Sequence, residues 1–185
     1  MTLSGPPASG TSTLAKMLAD DCGFTVMNGG DIFRNMAEDQ GMTIAEFATV
    51  AEDDPRIDRE IDDRLEAEIN AHLEGKRESG DTGLIVESRL AGWHANGQAD
   101  LSVWLDAPVE ERAQRLDERA ETPIELRERE MSDAQRYQDY YDIDIADLSI
   151  YDLVIDTGTL SEEGMFQTVK AAINDVQRRS ASSVS

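Results

Sequence analysis

The 185-residue sequence predicts an α/β fold, in which a five-stranded parallel sheet carries helices on both faces. Two observations support this class. Short apolar segments alternate along the chain with longer segments whose apolar residues recur at helical spacing. The first apolar segment is followed directly by a glycine-containing loop and an amphipathic helix. In such a fold, ligands bind at the carboxyl ends of the strands.

The first part of the chain predicts two strands and four helices. Asp31 is expected to cap the second helix, and Thr43 and Glu46 form a capping box before the third. A fourth, longer helix opens at Pro55. The expected strands are at 1–3 and 24–27, and the expected helices follow the loop to about residue 22 and then span 32–39, 43–52 and 55–75.

The remainder of the chain predicts three strands and three helices. The strands are at 84–86, 101–105 and 153–155, and the helices are at 109–121, 123–141 and 162–178. The serine-rich tail, residues 179–185, is expected to be disordered. We therefore expect one domain over residues 1–178.

The composition is strongly acidic, with 39 Asp and Glu residues against 17 Lys and Arg residues and a net charge of −22. Such a surface repels nucleic acid and anionic membranes, so we expect neither as a partner. We interpret the charge as an adaptation to a salt-loaded cytoplasm. An acidic interaction protein is the alternative, but the acidic residues are spread over the chain rather than gathered in a tail. No apolar run is long enough to span a membrane, which predicts a soluble, cytoplasmic protein, expected to be a monomer.

The loop after the first strand has the frame of the phosphate-binding P-loop, G-x-x-x-x-G-K-[ST], with Thr11 in the position of the lysine. Its glycines allow a tight backbone whose N–H groups surround an anion at the start of a helix. Ser12 is placed to bind Mg²⁺. An ordinary turn between a strand and a helix is the alternative. The predicted nucleotide-binding residues are Gly5, Pro6, Pro7, Ala8, Ser9, Gly10, Thr11, Ser12 and Thr13.

Polar residues follow the other predicted strands. Asp31 and Arg34 come after the second strand, Glu87 and Arg89 end the third, and Asp106 ends the fourth. Carboxylates at this edge could hold Mg²⁺, for which we predict Glu87 together with Ser12, and arginines could neutralise phosphate. Each residue alone could be a helix cap or a surface charge. Their joint placement beside the loop indicates a phosphate site.

Four motifs in order resemble archaeal cytidylate kinases over residues 2 to about 175. They are the loop, Gly29-Gly30-Asp31-Ile32-Phe33-Arg34, Glu87-Ser88-Arg89-Leu90-Ala91-Gly92-Trp93, and Arg136-Tyr137-x-x-Tyr140-Tyr141-x-Ile143-Asp144-Ile145. The resemblance implies a P-loop NTPase fold and a nucleoside monophosphate kinase. Such an enzyme transfers the γ-phosphoryl group of ATP to CMP or dCMP with Mg²⁺.

The resemblance also implies roles for individual residues. The acceptor would bind to the helices at about 31–75, and a mobile helical lid would span about 120–141. Arginines crowd the lid side, and few apolar residues anchor it, as a hinged element requires. The implied catalytic residues are Arg89, Arg129 and Arg136, and the implied substrate-binding residues are Asp31, Arg34, Arg89, Asp133 and Arg136.

Two departures from the family's loop leave alternatives open. Ala8 replaces a common glycine, which matters if this position needs a positive φ. Thr11 removes a lysine contact that can contribute several kcal/mol to the transition state. The chain could be an active kinase with other cations in that role, a nucleotide-binding regulator, or a kinase for another small acceptor such as uridylate.

Overall fold

The computed structural model describes residues 1–74, 83–116 and 122–183. Its sheet has five strands, all paired in parallel, in the order β2-β3-β1-β4-β5. The predicted parallel sheet is confirmed. The strands are β1 Thr2–Ser4, β2 Thr25–Asn28, β3 Leu84–Glu87, β4 Ser102–Asp106 and β5 Leu153–Asp156.

Eight α-helices connect and cover these strands within the described ranges. In those same ranges, no helix is both long enough and apolar enough to cross a membrane. The helices are α1 Thr11–Cys22, α2 Gly29–Asp39, α3 Ile44–Asp53, α4 Pro55–Leu73, α5 Ala91–His94, α6 Val109–Gln114, α7 Pro123–Tyr141 and α8 Glu162–Ser183.

Helix α2 begins earlier than expected, and Asp31 does not cap it. The side-chain oxygen of Asn28 accepts hydrogen bonds from the amides of Gly30, at 2.7 Å, and Asp31, at 3.2 Å. Asn28 is therefore the cap, because its carbonyl oxygen satisfies two amides of the first turn. The carboxylate of Asp31 instead pairs with Arg34 one turn later.

Helix α6 is shorter than the predicted 109–121. The amides of Arg115 and Leu116 bond to carbonyls three residues back, so the chain tightens and leaves the α-helical path after Gln114. Residues 117–121 lie outside the described ranges, as does residue 75 at the end of the predicted fourth helix. The short helix α5 was not predicted from the sequence.

The expected disorder of the tail is wrong for residues 179–183, because α8 continues to Ser183. Hydrogen bonds within the helix hold this end: Ser182 donates to the carbonyl of Arg178 at 2.8 Å. Asp175 pairs with Arg178 and Arg179 on the exposed face. Residues 184–185 lie outside the described ranges.

Apolar side chains pack against both faces of the sheet. Ile85 contributes to a core with α1 and α8, whereas its neighbours Leu84 and Val86 pack against α4 on the opposite face. A separate apolar cluster, which includes Met36 and Phe47, holds α2, α3 and α4 together. The helices of the predicted acceptor side thus have a small core of their own beside the main one.

Candidate active site

The loop of residues 5–10 connects β1 to α1 at the carboxyl edge of the sheet. Gly5 lies so close to β4 that a Cβ atom there would be 2.4 Å from the carbonyl oxygen of Leu105. Gly10, with a φ of 101°, is the N-terminal cap of α1. The start of α1 therefore faces the loop, which is the arrangement that favours an anion.

Ala8 adopts a φ of +60° at the centre of this loop. A side chain with a Cβ atom is strained in this left-handed region by about 1–2 kcal/mol, whereas glycine is not. Alanine at this position therefore has a conformational cost.

We expect Ala8→Gly to stabilise the protein by about 1 kcal/mol, because glycine removes the strain and loses only part of that gain to chain entropy. Denaturant unfolding measures the free energy of unfolding. The control is Ala19→Gly inside α1, which is expected to destabilise by about 0.5–1 kcal/mol. A loss of stability in both variants would contradict this interpretation of Ala8.

The carboxylate of Glu87, at the end of β3, is buried and accepts hydrogen bonds from three side chains. Thr11 Oγ1 donates at 2.6 Å, Ser12 Oγ at 2.7 Å and Asn28 Nδ2 at 2.5 Å. These bonds satisfy a carboxylate that would be costly to bury without partners. The threonine that stands in the lysine position is thus directed toward Glu87.

The oxygen donors at this point suit a hard cation such as Mg²⁺. Because Ser12 donates its proton to Glu87, its lone pairs remain available to a metal ion. Among the described residues, no cluster of three or more His, Cys, Asp or Glu side chains could hold a metal without other ligands. The residues present fit an ion that takes its other ligands from phosphate and water.

Three arginines donate to the carbonyls of the loop: Arg89 after β3, Arg112 on α6 and Arg115 at the C-terminal cap of α6. Arg89 Nη1 reaches the carbonyl of Gly5 at 2.7 Å. Arg112 Nη1 reaches that of Pro7 at 3.0 Å, and Arg115 Nη1 that of Ala8 at 3.2 Å. Arg89 was among the predicted site residues. Arg112 and Arg115 belong to the group of arginines that the sequence indicated on the lid side, but neither was assigned to the site. The signal for Arg112 and Arg115 in the sequence was the crowding of arginines in and just before the predicted lid.

Alternating charges link Arg89 to the helix α7. Arg89 Nε lies 3.4 Å from Asp133, whose carboxylate also accepts from Arg136 Nη2 at 2.8 Å. Arg136 Nε then lies 3.4 Å from Asp58 on α4. Burial raises the pKa of Asp58, and the charge of Arg136 opposes that shift. The structure therefore brings together three predicted residues, Arg89, Asp133 and Arg136, and adds Asp58.

The other predicted side chains occupy more exposed positions. Asp31 and Arg34 form an ion pair on α2, with side chains 63% and 51% exposed. Arg129 lies on the exposed face of α7. The carboxylate of Asp106, at the end of β4, accepts a hydrogen bond from the amide of Ala107 at 2.8 Å.

A polar cluster joins α4, α5 and the end of α7. His94 Nε2 lies 2.9 Å from Asp62 and its Nδ1 lies 3.2 Å from Glu66, while Tyr141 donates to Asp62 at 2.5 Å. Burial by itself lowers the pKa of His94, but Asp62 and then Glu66 outweigh it and raise that pKa above its usual value. In its protonated form, His94 pairs with both carboxylates of α4.

We expect the melting temperature to fall as pH rises from 6 to 9, and His94→Gln to reduce that fall. A raised folded-state pKa gives stability that is complete below the unfolded value of about 6.5 and is lost as pH rises through the folded value. Thermal unfolding across this range is the measurement. His72→Gln, which removes the other histidine, is expected to follow the wild type. Parallel curves for His94→Gln and wild type would contradict the assignment.

Comparisons with known proteins extend over nearly the whole chain. A family model described as an AAA domain matches residues 1–138. The chain is 43% identical over 182 residues to the cytidylate kinase of Halobacterium salinarum, covering 96% of this chain and 90% of the relative. It is 45% identical over 179 residues to that of Pyrococcus furiosus, covering 94% and 88%. Shikimate kinase from Bacteroides thetaiotaomicron shares the fold, with a TM-score of 0.62 at 13% identity over 94% of this chain and 97% of that one.

Proposed function

Because the chain belongs to the cytidylate kinase family, and over residues 1–138 to the AAA domain family, we propose that it transfers the γ-phosphoryl group of ATP to CMP or dCMP. The observation that carries this proposal is that Arg89 contacts both the carbonyl of Gly5 in the loop and Asp133, which is paired with Arg136. This arrangement sets one cation, Arg89, against the proposed phosphate loop and links it through Asp133 to a second cation, Arg136.

Phosphoryl transfer requires positioning and charge stabilisation more than covalent participation by the protein. In the proposed reaction, residues 5–13 hold the phosphates of ATP through their backbone N–H groups, which Pro6 and Pro7 lack. Arg89, Arg129 and Arg136 stabilise the charge on the transferred group. Arg34, Asp31 and Asp133 bind the acceptor nucleotide.

Mg²⁺, when bound, neutralises negative charge on the phosphate oxygens. Ser12 would hold it through its hydroxyl oxygen, and Glu87 would contact it through water. Because Glu87 accepts from Thr11 and Ser12, the carboxylate also fixes the orientation of both hydroxyls at the start of α1.

Helix α7 is the proposed lid, of which residues 120 and 121 lie outside the described ranges. Leu126 and Tyr137 are its buried side chains, and its other contacts include ion pairs such as Arg127–Glu110 at 2.7 Å. Such an element can open without exposing a large apolar surface. We further propose that the protein works as a monomer in a salt-loaded cytoplasm, which the net charge of −22 supports.

The test is an assay of ADP release with a panel of nucleoside monophosphates and shikimate at molar potassium chloride. We expect CMP and dCMP to be the best acceptors. Efficient phosphorylation of UMP, AMP or shikimate without activity on CMP would contradict the proposal. Binding of ATP without turnover of any acceptor would favour the second candidate, a nucleotide-binding regulator, to which the contact of Thr11 with Glu87 points.

A further inference from the structure

Arg112 is buried to an unusual degree for a cation. Its residue is 4% exposed, and among the lysines and arginines in the described ranges it alone is buried. Burying a guanidinium group is costly unless hydrogen bonds replace its water. The position of these hydrogen bonds therefore indicates what the residue does.

Three different elements supply the partners of Arg112. Its Nε donates to the carbonyl of Ala107, directly after β4, at 2.8 Å. Its Nη1 donates to the carbonyl of Pro7 in the loop at 3.0 Å. The same nitrogen contacts the carboxylate of Glu130 on α7. One side chain thus connects a rigid strand end, the phosphate loop and the proposed lid helix.

The contacts of Arg112 with Pro7 and with Glu130 lie next to residues that take part in the proposed reaction. Pro7 precedes Ala8, the residue with the left-handed backbone in the loop. Glu130 follows Arg129 and lies three residues before Asp133, so it shares a turn of α7 with both. A change in the position of the Pro7 carbonyl would reach these residues through Arg112 and Glu130.

A role in stability alone explains this arrangement poorly. Buried ion pairs often contribute less to stability than apolar residues of the same volume, because desolvation offsets their attraction. The neighbouring α6–α7 ion pair, Arg127–Glu110, is 61% exposed on both side chains, and pairs of that kind contribute little. The Arg112–Glu130 pair is less exposed than this neighbour, and it is therefore better suited to transmit a displacement.

We propose that Arg112 and Glu130 are positioning residues that couple occupation of the phosphate loop to the placement of α7. This inference rests on the proposed function for the identity of the loop's ligand. An anion that draws in the loop amides reorients the Pro7 carbonyl. Arg112, anchored on Ala107, passes that change to Glu130 and so to the arginines of α7.

Hydrogen–deuterium exchange with ATP alone as the probe tests the coupling without an acceptor. In the wild type, ATP is expected to slow exchange at least threefold in α1 and in α7. In Glu130→Ala, ATP is expected to protect α1 and to leave α7 unchanged, because Arg112 keeps its two carbonyl partners. Glu130→Gln, whose amide oxygen still accepts, should restore part of the protection. Glu128→Ala, an exposed change of equal charge on α7, is the matched control and should behave as the wild type.

Equal protection of α7 in Glu130→Ala and the wild type would overturn the coupling, as would a wild type whose α7 does not respond to ATP. Turnover of CMP provides the second measurement, in which kcat of Glu130→Ala is expected to fall about tenfold while the KM of ATP changes by less than about twofold. A wild type that shows the exchange coupling but phosphorylates no acceptor would contradict the proposed function and leave the coupling supported.

Discussion

Replacement of Arg89 by alanine is expected to lower kcat/KM for CMP by about a hundredfold or more. The side chain is 22% exposed, and its guanidinium group lies between the carbonyl of Gly5 and the carboxylate of Asp133. These contacts fix its position before substrate arrives, so little reorganisation is needed when charge develops on the transferred phosphoryl group. Alanine removes both the cation and its link between the loop and α7.

Steady-state kinetics with varied ATP and CMP measure the effect. Arg178→Ala, which removes an exposed arginine from α8 and changes the net charge equally, is expected to retain wild-type kinetics. Arg89→Lys keeps the charge but not the planar fork of donors and should recover only part of the loss. Unchanged kinetics in Arg89→Ala would show that the residue supports the loop without acting on a reacting phosphate.

Thr11→Lys is expected to tighten ATP binding about tenfold at low salt, the effect of one hydrogen bond to a charged group. The gain should become smaller at molar salt, where the screening length is about 3 Å and long-range repulsion from a protein of net charge −22 is already weak. Part of it should persist, because a short-range contact is screened less. The new ammonium would also lie near Glu87, which now accepts from Thr11.

Titration of ATP against both proteins over a salt series measures these effects. Asp20→Asn, at the exposed far end of α1, changes the net charge by the same amount and should show only the long-range component. Equal affinities for Thr11→Lys and wild type at every salt concentration would mean that a side chain at this position stays with Glu87 instead of reaching the phosphates. The regulator would then become the better interpretation.

The sequence predicted the strands and the loop well because their signals are local. A short apolar run between helical segments indicates a buried strand. The loop motif is typical of a connection between a strand and a helix, so it also predicts the elements on either side of it. The cap of α2 was misassigned because Asn28 and Asp31 are both good capping residues three positions apart. Only the path of the backbone decides between them.

The role of Arg112 could not be predicted for a different reason. In the sequence it stands among charged residues on the helix predicted at 109–121, where an exposed arginine is the usual expectation. Arg112 is buried because α6 lies between the loop and α7, two segments that are far apart along the chain. The crowding of arginines in the sequence marks this region, but it does not indicate which of them is buried. Asp58 was missed for the same reason, because its contact with Arg136 joins two helices, α4 and α7, that are distant in the sequence.

The central position of β1 in the sheet has a consequence for how the protein is made. Thr2 pairs with Val86 on one side and with Ser102 on the other, so β1 cannot complete its ladder until β4, about 100 residues later, has emerged. At a typical translation rate, about 100 residues take roughly 5–20 seconds. During that interval the strand and the following loop lack their neighbours. We therefore expect slow folding, dominated by contacts distant in sequence, and a nascent chain in which the proposed phosphate site forms only after β4 has been synthesised.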